Sequence, residues 1–357
     1  IIFFTQYCFH INHHSNNYVS SLMNKFIKVK KSLSTYYDKE IAINLSPATG
    51  YRSRCEFGYK NNCYTMMDNG KKVFLKTFNL PHQSIQNVME PLLKKIQSNL
   101  LIEKKLFQIN FRTAHDVVLV TLIYHKELDN NWLENAKVIA ANLNIHIVGR
   151  SRKKLLATGV SELEELINTH NPFYLYQDDK TFYQPNKYLM SKMVEFSLSL
   201  IDEPKDLLEL YCGSGTFTIP MSRYFNKVFA TENNRASITY LNKSINKNKI
   251  TNVLQSRLSD TELTEAFNGR RFRRMGEINL SDYDFSHVLV DPPRAGLNEN
   301  VTDILNKFKN IIYISCNPET FKRDLENLKD YKITKMEVFD QFSNTPHLEL
   351  VALLTKI

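Results

Sequence analysis

The chain has 357 residues, 43% of them hydrophobic and 23% charged, with 10 Gly, 11 Pro and a net charge of +9. Length and composition suit two globular domains whose cores need no disulfide or metal staples, and the charge points to a polyanionic partner. The five cysteines (Cys8, Cys55, Cys63, Cys212 and Cys316) form no Cys-x-x-Cys pair and the longest apolar runs are strand-sized, which argues against a disulfide framework, a metal or iron–sulfur site and a membrane span, and for a reducing, cytoplasmic compartment.

The chain opens on Ile1-Ile2-Phe3-Phe4 without a Met, so its first residue need not be the natural start. His10, His13 and His14 lie in an Asn-rich terminal stretch and read as part of a disordered tail rather than as metal ligands. Residues from about Tyr18 to Leu33 form a basic amphipathic pattern, and residues 1–45 are taken as tail and helix. From 46 to 178 the pattern is mixed, with strands expected at Leu106–Phe111 and Val117–Tyr124 and a helix around Trp132–Leu143. That is an α+β domain, with a boundary near residue 178.

Residues 179–357 alternate strand and helix patterns. Met190, Met193, Val194, Leu198 and Ile201 share a helical face; then come a strand at Leu207–Tyr211, a turn at Gly213 and Gly215, and a helix to about Phe225. A strand from Lys227 to Glu232 precedes a polar helix through Asn246, and strands at Val288–Val290 and Ile311–Ser315 follow. Lys335–Phe339 and Leu348–Thr355 close the chain as an antiparallel pair. The expected fold is α/β, a Rossmann-like sheet whose functional residues collect at the carboxyl ends of strands.

At the first such end, Tyr211-Cys212-Gly213-Ser214-Gly215 lets a ligand approach the backbone. The third glycine of the dinucleotide fingerprint is replaced by Thr218, so the turn suits S-adenosylmethionine, which has no pyrophosphate, better than NAD. Glu232 lies nineteen residues after Gly213, a distance at which a carboxylate accepts hydrogen bonds from ribose hydroxyls. The alternative is a solvated strand-end carboxylate.

Asp291-Pro292-Pro293-Arg294 follows the next strand, and two prolines fix the backbone that carries the Asp. Arg294 stands where amine methyltransferases place an aromatic residue. In Ser315-Cys316-Asn317-Pro318, Asn317 suits the N-cap and Pro318 the first helical position. A cysteine is by default a buried structural thiol; one between a strand and a capped helix is expected to have a lowered pKa and a reactive sulfur. Cys212, inside the glycine turn, is explained by its small size.

These segments together resemble a known family. Leu208–Gly215, Asp291–Gly296 and Ile314–Thr320, with Phe182–Asn186, Phe339–Phe342, Leu106–Ile109 and Tyr124–Lys126, are similar to the bacterial tRNA (uracil-5-)-methyltransferases. The resemblance implies an S-adenosylmethionine-dependent enzyme in which Cys316 adds to carbon 6 of uracil and a base then removes the carbon-5 proton. It places that base at Glu349, in Pro346-His-Leu-Glu-Leu350, although the family segment usually reads His-Met-Glu-Cys and the spacing from Cys316 is about one residue short. Asp291 would orient or polarise the uracil, and Gln184, Tyr211, Gly213, Thr216, Glu232 and Asp291 would contact the donor. Thr216 replaces the family's frequent Asn. Phe182 would stack on the target base and Phe107 on a neighbouring one, core packing being the alternative for both, and Arg294 would contact the substrate.

The implied partner is the T-arm of tRNA, with the T-loop uridine at position 54 as target, flipped out of its stack. A monomer acting in the cytoplasm is expected. Lys28, Lys30 and Lys31, Arg52 and Arg54, Arg150, Arg152, Lys153 and Lys154, and Arg270, Arg271, Arg273 and Arg274 are candidates for phosphate contact, which supplies affinity without choice of base. Ribosomal RNA relatives often carry an N-terminal barrel and a four-Cys cluster, neither of which is visible. A ribosomal RNA enzyme, or a tRNA-binding protein whose catalysis has decayed, are the competing readings.

Overall fold

The computed structural model describes residues 15–68, 70–152 and 154–357; Cys8, the three terminal histidines and Lys153 lie outside them. In chain order the strands are β1 (Ala42–Asn44), β2 (Arg54–Lys60), β3 (Cys63–Asp68), β4 (Lys71–Phe74), β5 (Leu106–Ala114), β6 (Val117–Tyr124), β7 (His146–Arg150), β8 (Leu155–Ala157), β9 (Leu163–Ile167) and β10 (Phe173–Gln177). Then come β11 (Asp206–Leu210), β12 (Lys227–Thr231), β13 (Val253–Ser256), β14 (Phe285–Val290), β15 (Asn310–Ser315), β16 (Tyr331–Phe339) and β17 (Glu349–Lys356). The helices are α1 (Ser15–Leu33), α2 (Gln83–Gln97), α3 (Leu100–Glu103), α4 (Asn130–Leu143), α5 (Met190–Ser199), α6 (Thr218–Met221), α7 (Arg235–Lys247), α8 (Asp260–Phe267), α9 (Glu299–Leu305) and α10 (Pro318–Asn327).

The first sheet has the order β4-β3-β2-β5-β6-β7-β8. Its central hairpin turns at His115 and Asp116, both with positive φ (47° and 65°), which matches the twist of the flanking strands; β5 therefore runs three residues past Phe111. α2 buries Ile85, Val88, Met89, Leu92 and Ile96, and α4 buries Trp132, Ala136, Ile139 and Ala140. Trp132 lies so close to β7 that a Cβ on Gly149 would stand 2.2 Å from its ring.

The second sheet has the order β1-β16-β17-β15-β14-β11-β12-β13. β12, β11, β14 and β15 are parallel neighbours, and β17 runs antiparallel to both β15 and β16. Both faces are covered: Leu208, Leu210, Val288, Val290 and Tyr313 enter one core, and Leu207, Leu289, Ile312 and Ile314 the other, which is why the strands read as continuous apolar runs. From β11 the chain moves outward to β12 and β13, then returns to β14 on the other side. The crevice at that reversal, outside the carboxyl ends of β11 and β14, is where such sheets bind ligands.

Two expectations change. The helix after the glycine turn is a single turn, Thr218–Met221, after which the chain continues on i→i−3 bonds from Arg223 and Tyr224. Tyr211 is not part of the strand; it sits in the left-handed region at φ 59°. The N-terminal segment also has a place in the second sheet. Phe26, Val29, Leu33 and Ile41 are buried in its core, and β1 pairs in parallel with β16.

Candidate active site

The glycine turn begins where β11 ends. A non-glycine residue at positive φ is costly, and three of five residues here, Tyr211, Gly213 and Gly215, have φ of 59°, 55° and 102°. Gly215 is required twice over, since a Cβ would lie 2.7 Å from Leu241 Cδ1. Glu232 closes the turn from the end of β12: its Oε2 accepts from Gly213 N (3.1 Å) and its Oε1 from Asn234 N (2.7 Å). A carboxylate has lone pairs beyond these two bonds, so a ribose remains within its capacity. Tyr211 donates its hydroxyl to Asp260 Oδ2 (3.3 Å), which also accepts from Asn298 Nδ2 (2.5 Å). The Ser214 hydroxyl is buried without a partner. Open backbone, a strand-end carboxylate and an orphaned hydroxyl fit a nucleoside-bearing donor without a pyrophosphate. Thr216 is buried in the same turn.

Three strands deliver the candidate catalytic groups. Asp291 follows β14, half-buried, and burial, then the Glu232 charge, push it up to about 7. Cys316 follows β15. Glu349 opens β17, and since Ser315 pairs with Leu350, it stands across from Cys316 one step beyond the ladder. It is 3% exposed, its Oε2 lacks a partner, and burial, then the Asp291 charge, raise it well above the carboxylate range. The Cys316 thiol corrects the expectation of a lowered pKa. Burial pushes it up to about 12, Glu349 and Asp291 add to the rise, and Arg294 opposes it. The helix cap is present all the same, with Asn317 Oδ1 accepting from Glu319 N (3.2 Å) and Pro318 in the first turn. Burial, which disfavours the thiolate, is the largest cause of the rise.

The loops carrying Asp291 and Cys316 are tied together. Arg294 O accepts from Asn317 Nδ2 (3.1 Å) and Thr320 Oγ1 (3.2 Å), while Arg323 Nη2 donates to Ala295 O (2.9 Å) and Leu297 O (3.0 Å). Asp324 Oδ2 accepts from Leu297 N (2.8 Å) and Tyr313 OH (2.6 Å). A Cβ on Gly296 would fall 2.6 Å from both Arg323 and Asp324. Arg294 itself donates to His347 Nδ1 (3.2 Å), an imidazole kept neutral by burial and by that same guanidinium.

The other candidates occupy distinct places. Gln184 is buried with its Oε1 accepting from Gln341 Nε2 (2.6 Å), which leaves its amide N–H groups available. Phe182 is 46% exposed, as a residue that stacks on a base must be. Phe107 lies elsewhere, stacked on His125 at 3.8 Å and 11°, in a cavity of about 680 Å³ lined also by Arg150, Arg152, Lys154 and Lys180. Of the basic clusters, Arg54, Arg150, Arg270 and Arg274 are paired with Glu56, Asp179, Glu265 and Glu262. Among the described residues, no group of three or more His, Cys, Asp or Glu is placed to hold a metal ion, and no helix is long and apolar enough to cross a membrane.

Sequence reasoning missed Asp260, His347 and Glu209. Asp260 had a signal, since Ser259-Asp-Thr-Glu262 is a capping box directly after β13. Glu209, 1% exposed in mid-strand and pushed up to about 8 by burial with help from Asp291, had none, because nothing in a strand pattern says which carboxylate faces inward.

The family model described as tRNA (Uracil-5-)-methyltransferase matches residues 17–357. A tRNA/tmRNA (uracil-C(5))-methyltransferase of Campylobacter concisus is 41% identical over 91% of each chain, and one of Saccharophagus degradans 39% identical over 95% of this chain and 97% of its own. Among solved structures, the Pyrococcus abyssi tRNA (uracil-54, C5)-methyltransferase bound to S-adenosyl-L-homocysteine superposes with a TM-score of 0.75, at 25% identity, over 95% of this chain and 84% of that one.

Proposed function

The chain belongs to the tRNA (uracil-5-)-methyltransferase family, and from that membership we propose that it methylates carbon 5 of the T-loop uridine at position 54 of tRNA, with Cys316 as covalent nucleophile and Glu349 as the base. S-adenosylmethionine, the methyl donor, supplies an electrophilic methyl group on a positively charged sulfur. Gly213, Glu232 and Tyr211 hold it at the reversal of the sheet, with Gln184 and Thr216 on its flanks. In this reading residues 46–178 are the RNA-recognition domain and 179–357 the methyltransferase domain, working as a monomer in the cytoplasm.

Uracil carbon 5 is a poor nucleophile until carbon 6 is attacked. Cys316 gives its thiol proton to solvent and forms a bond from Sγ to carbon 6, which moves electron density to carbon 5 and its neighbouring carbonyl. Carbon 5 then takes the methyl group, and the broken carbon–sulfur bond leaves its electron pair on the sulfur of S-adenosylhomocysteine. Glu349 removes the proton from carbon 5, the double bond re-forms, and the bond to Sγ breaks. Asp291, between donor and base, orients the uracil. Its negative charge helps keep a proton on Glu349, and a positive charge arriving beside it favours the proton's release. Reaching carbon 6 requires the uridine to leave its stack, and the exposed Phe182 and Arg294 are suited to receive it.

The observation that carries this reading is the convergence of Asp291, Cys316 and Glu349 from the ends of three strands, close enough to shift one another's titration. Labelled methyl transfer to unmodified tRNA, with the nucleoside and its position identified, tests it. The product is 5-methyluridine at position 54, and Cys316→Ala forms it on the order of 10³-fold more slowly or not at all. Methylation at native rate by that variant sinks the covalent route, and ribosomal RNA as the preferred substrate sinks the tRNA assignment. Transfer-messenger RNA, which the names of the relatives include, belongs in the same assay.

A further inference from the structure

Residues 340–348 join β16 to β17 and lead directly into Glu349. One buried ammonium lies at the centre of this loop. Lys25, 5% exposed on α1, pairs with Asp340 and donates to the carbonyl oxygens of Thr345 (3.1 Å), His347 (3.1 Å) and Phe342 (3.4 Å). An ammonium has three protons and no acceptor, so four converging oxygens use it fully, and all four belong to the loop. Further anchors reach the loop one bond at a time: Tyr51 OH to Ser343 O (3.2 Å), Asn344 Nδ2 to Ala48 O (2.8 Å), Gln341 Nε2 to Gln184 Oε1 (2.6 Å) and Arg294 Nη2 to His347 Nδ1 (3.2 Å). Burying a lysine and an aspartate is costly, and it persists only where the geometry compensates.

We propose that Lys25 is a positioning residue for the carbon-5 proton abstraction: it folds the 340–347 backbone around its ammonium and so fixes the Glu349 carboxylate opposite Cys316. The proposal rests on the reading of Glu349 as the base. Lys25 reaches His347 O, two residues before Glu349, so it acts by holding backbone rather than by direct contact with the carboxylate. Lys25 itself bonds neither the glycine turn nor α10; its reach toward them runs only through the loop, by Gln341 on Gln184 and by His347 on Arg294. The enzyme thereby borrows a part of its catalytic geometry from its first helix.

The test uses the full chain, unmodified tRNA and S-adenosylmethionine, with Glu349→Gln run alongside. Lys25→Met is expected to turn over at least about tenfold more slowly with KM for tRNA within about twofold, and to accumulate a denaturation-resistant protein–RNA adduct. A merely structural role predicts otherwise: lower thermal stability, with turnover lost in proportion to folded protein and no adduct. Should Lys25→Met fail to fold, Lys25→Met/Asp340→Asn removes the uncompensated carboxylate as well and is expected to trap the same adduct. If Glu349→Gln traps adduct and the Lys25 variants do not, the positioning role is overturned while the base stands. If Glu349→Gln traps none, the base assignment falls, and the Lys25 proposal with it.

Discussion

Burial pushes the Cys316 thiol up to about 12, so under the proposed mechanism its reactivity has to be produced as the site fills, when charge and solvent around Asp291, Glu349 and Arg294 change. A resting site of this kind also spares the enzyme from adventitious alkylation. Asp291 shows the same economy with a sign that can be worked out. Its folded pKa is about 7 against an ordinary 3.8, so the native state holds a proton that the unfolded chain gives up between those values. Stability from this group is complete below pH 3.8 and is lost as pH rises toward and through 7. Asp291→Asn removes that loss. Thermal melts are expected to show the variant more stable than the native chain by about 1–2 kcal/mol at pH 8, a figure discounted because the residue is only half-buried, with a smaller difference at pH 5. Equal melting temperatures at pH 8 show that Asp291 is not held at an unfavourable charge. Methyl transfer in the same variant is expected to fall if, as proposed, the same carboxylate orients the uracil.

Among the elements, α10 has the most to do. Its N-cap, Asn317, accepts from Glu319 N and donates to Arg294 O, so one side chain both starts the helix behind Cys316 and ties it to the loop behind Asp291. The two duties can be separated. Asn317→Ala loses both and should cost about 1 kcal/mol of stability. Asn317→Ser keeps a capping oxygen and loses the amide donor, so its melting temperature should stay close to native while methyl transfer falls in both variants. Native turnover in the Ser variant means the tie to Arg294 is dispensable. This element was legible from sequence because Asn-Pro is a local signal. The one-turn α6 was not: its apolar spacing suits a longer helix, and the i→i−3 turns that follow it carry no local mark. Tyr211 at positive φ was illegible for another reason, since a bulky residue gives no local sign that it leaves a strand and the turn around it imposes the conformation.

On the scale of the whole molecule, the net charge of +9 is unevenly committed. Arg54, Arg150, Arg270 and Arg274 are paired within the chain, whereas Arg152 and Lys154 line the cavity that holds Phe107 stacked on His125. Arg152→Ala/Lys154→Ala should therefore weaken tRNA binding and lower the slope of log affinity against log salt by about 1 to 2, measured by fluorescence titration between 50 and 200 mM salt. An unchanged slope places the phosphates on another face. The parallel sheet, the glycine turn, Glu232, Asp291 and Cys316 followed from sequence because each rests on short-range chemistry: a period of apolar residues, a turn that needs glycine, prolines that stop a strand. Glu349 came only from the family resemblance, since an acidic residue in an antiparallel strand carries no local mark. What tertiary structure alone decided is what depends on residues far apart in the chain. It put Glu349 across from Cys316 through the antiparallel return of β17, it reversed the sign of the Cys316 shift by burying the thiol and setting two carboxylates near it, and it brought Lys25 to the loop that leads into Glu349. Burial and charge act through space, and a local sequence pattern records neither.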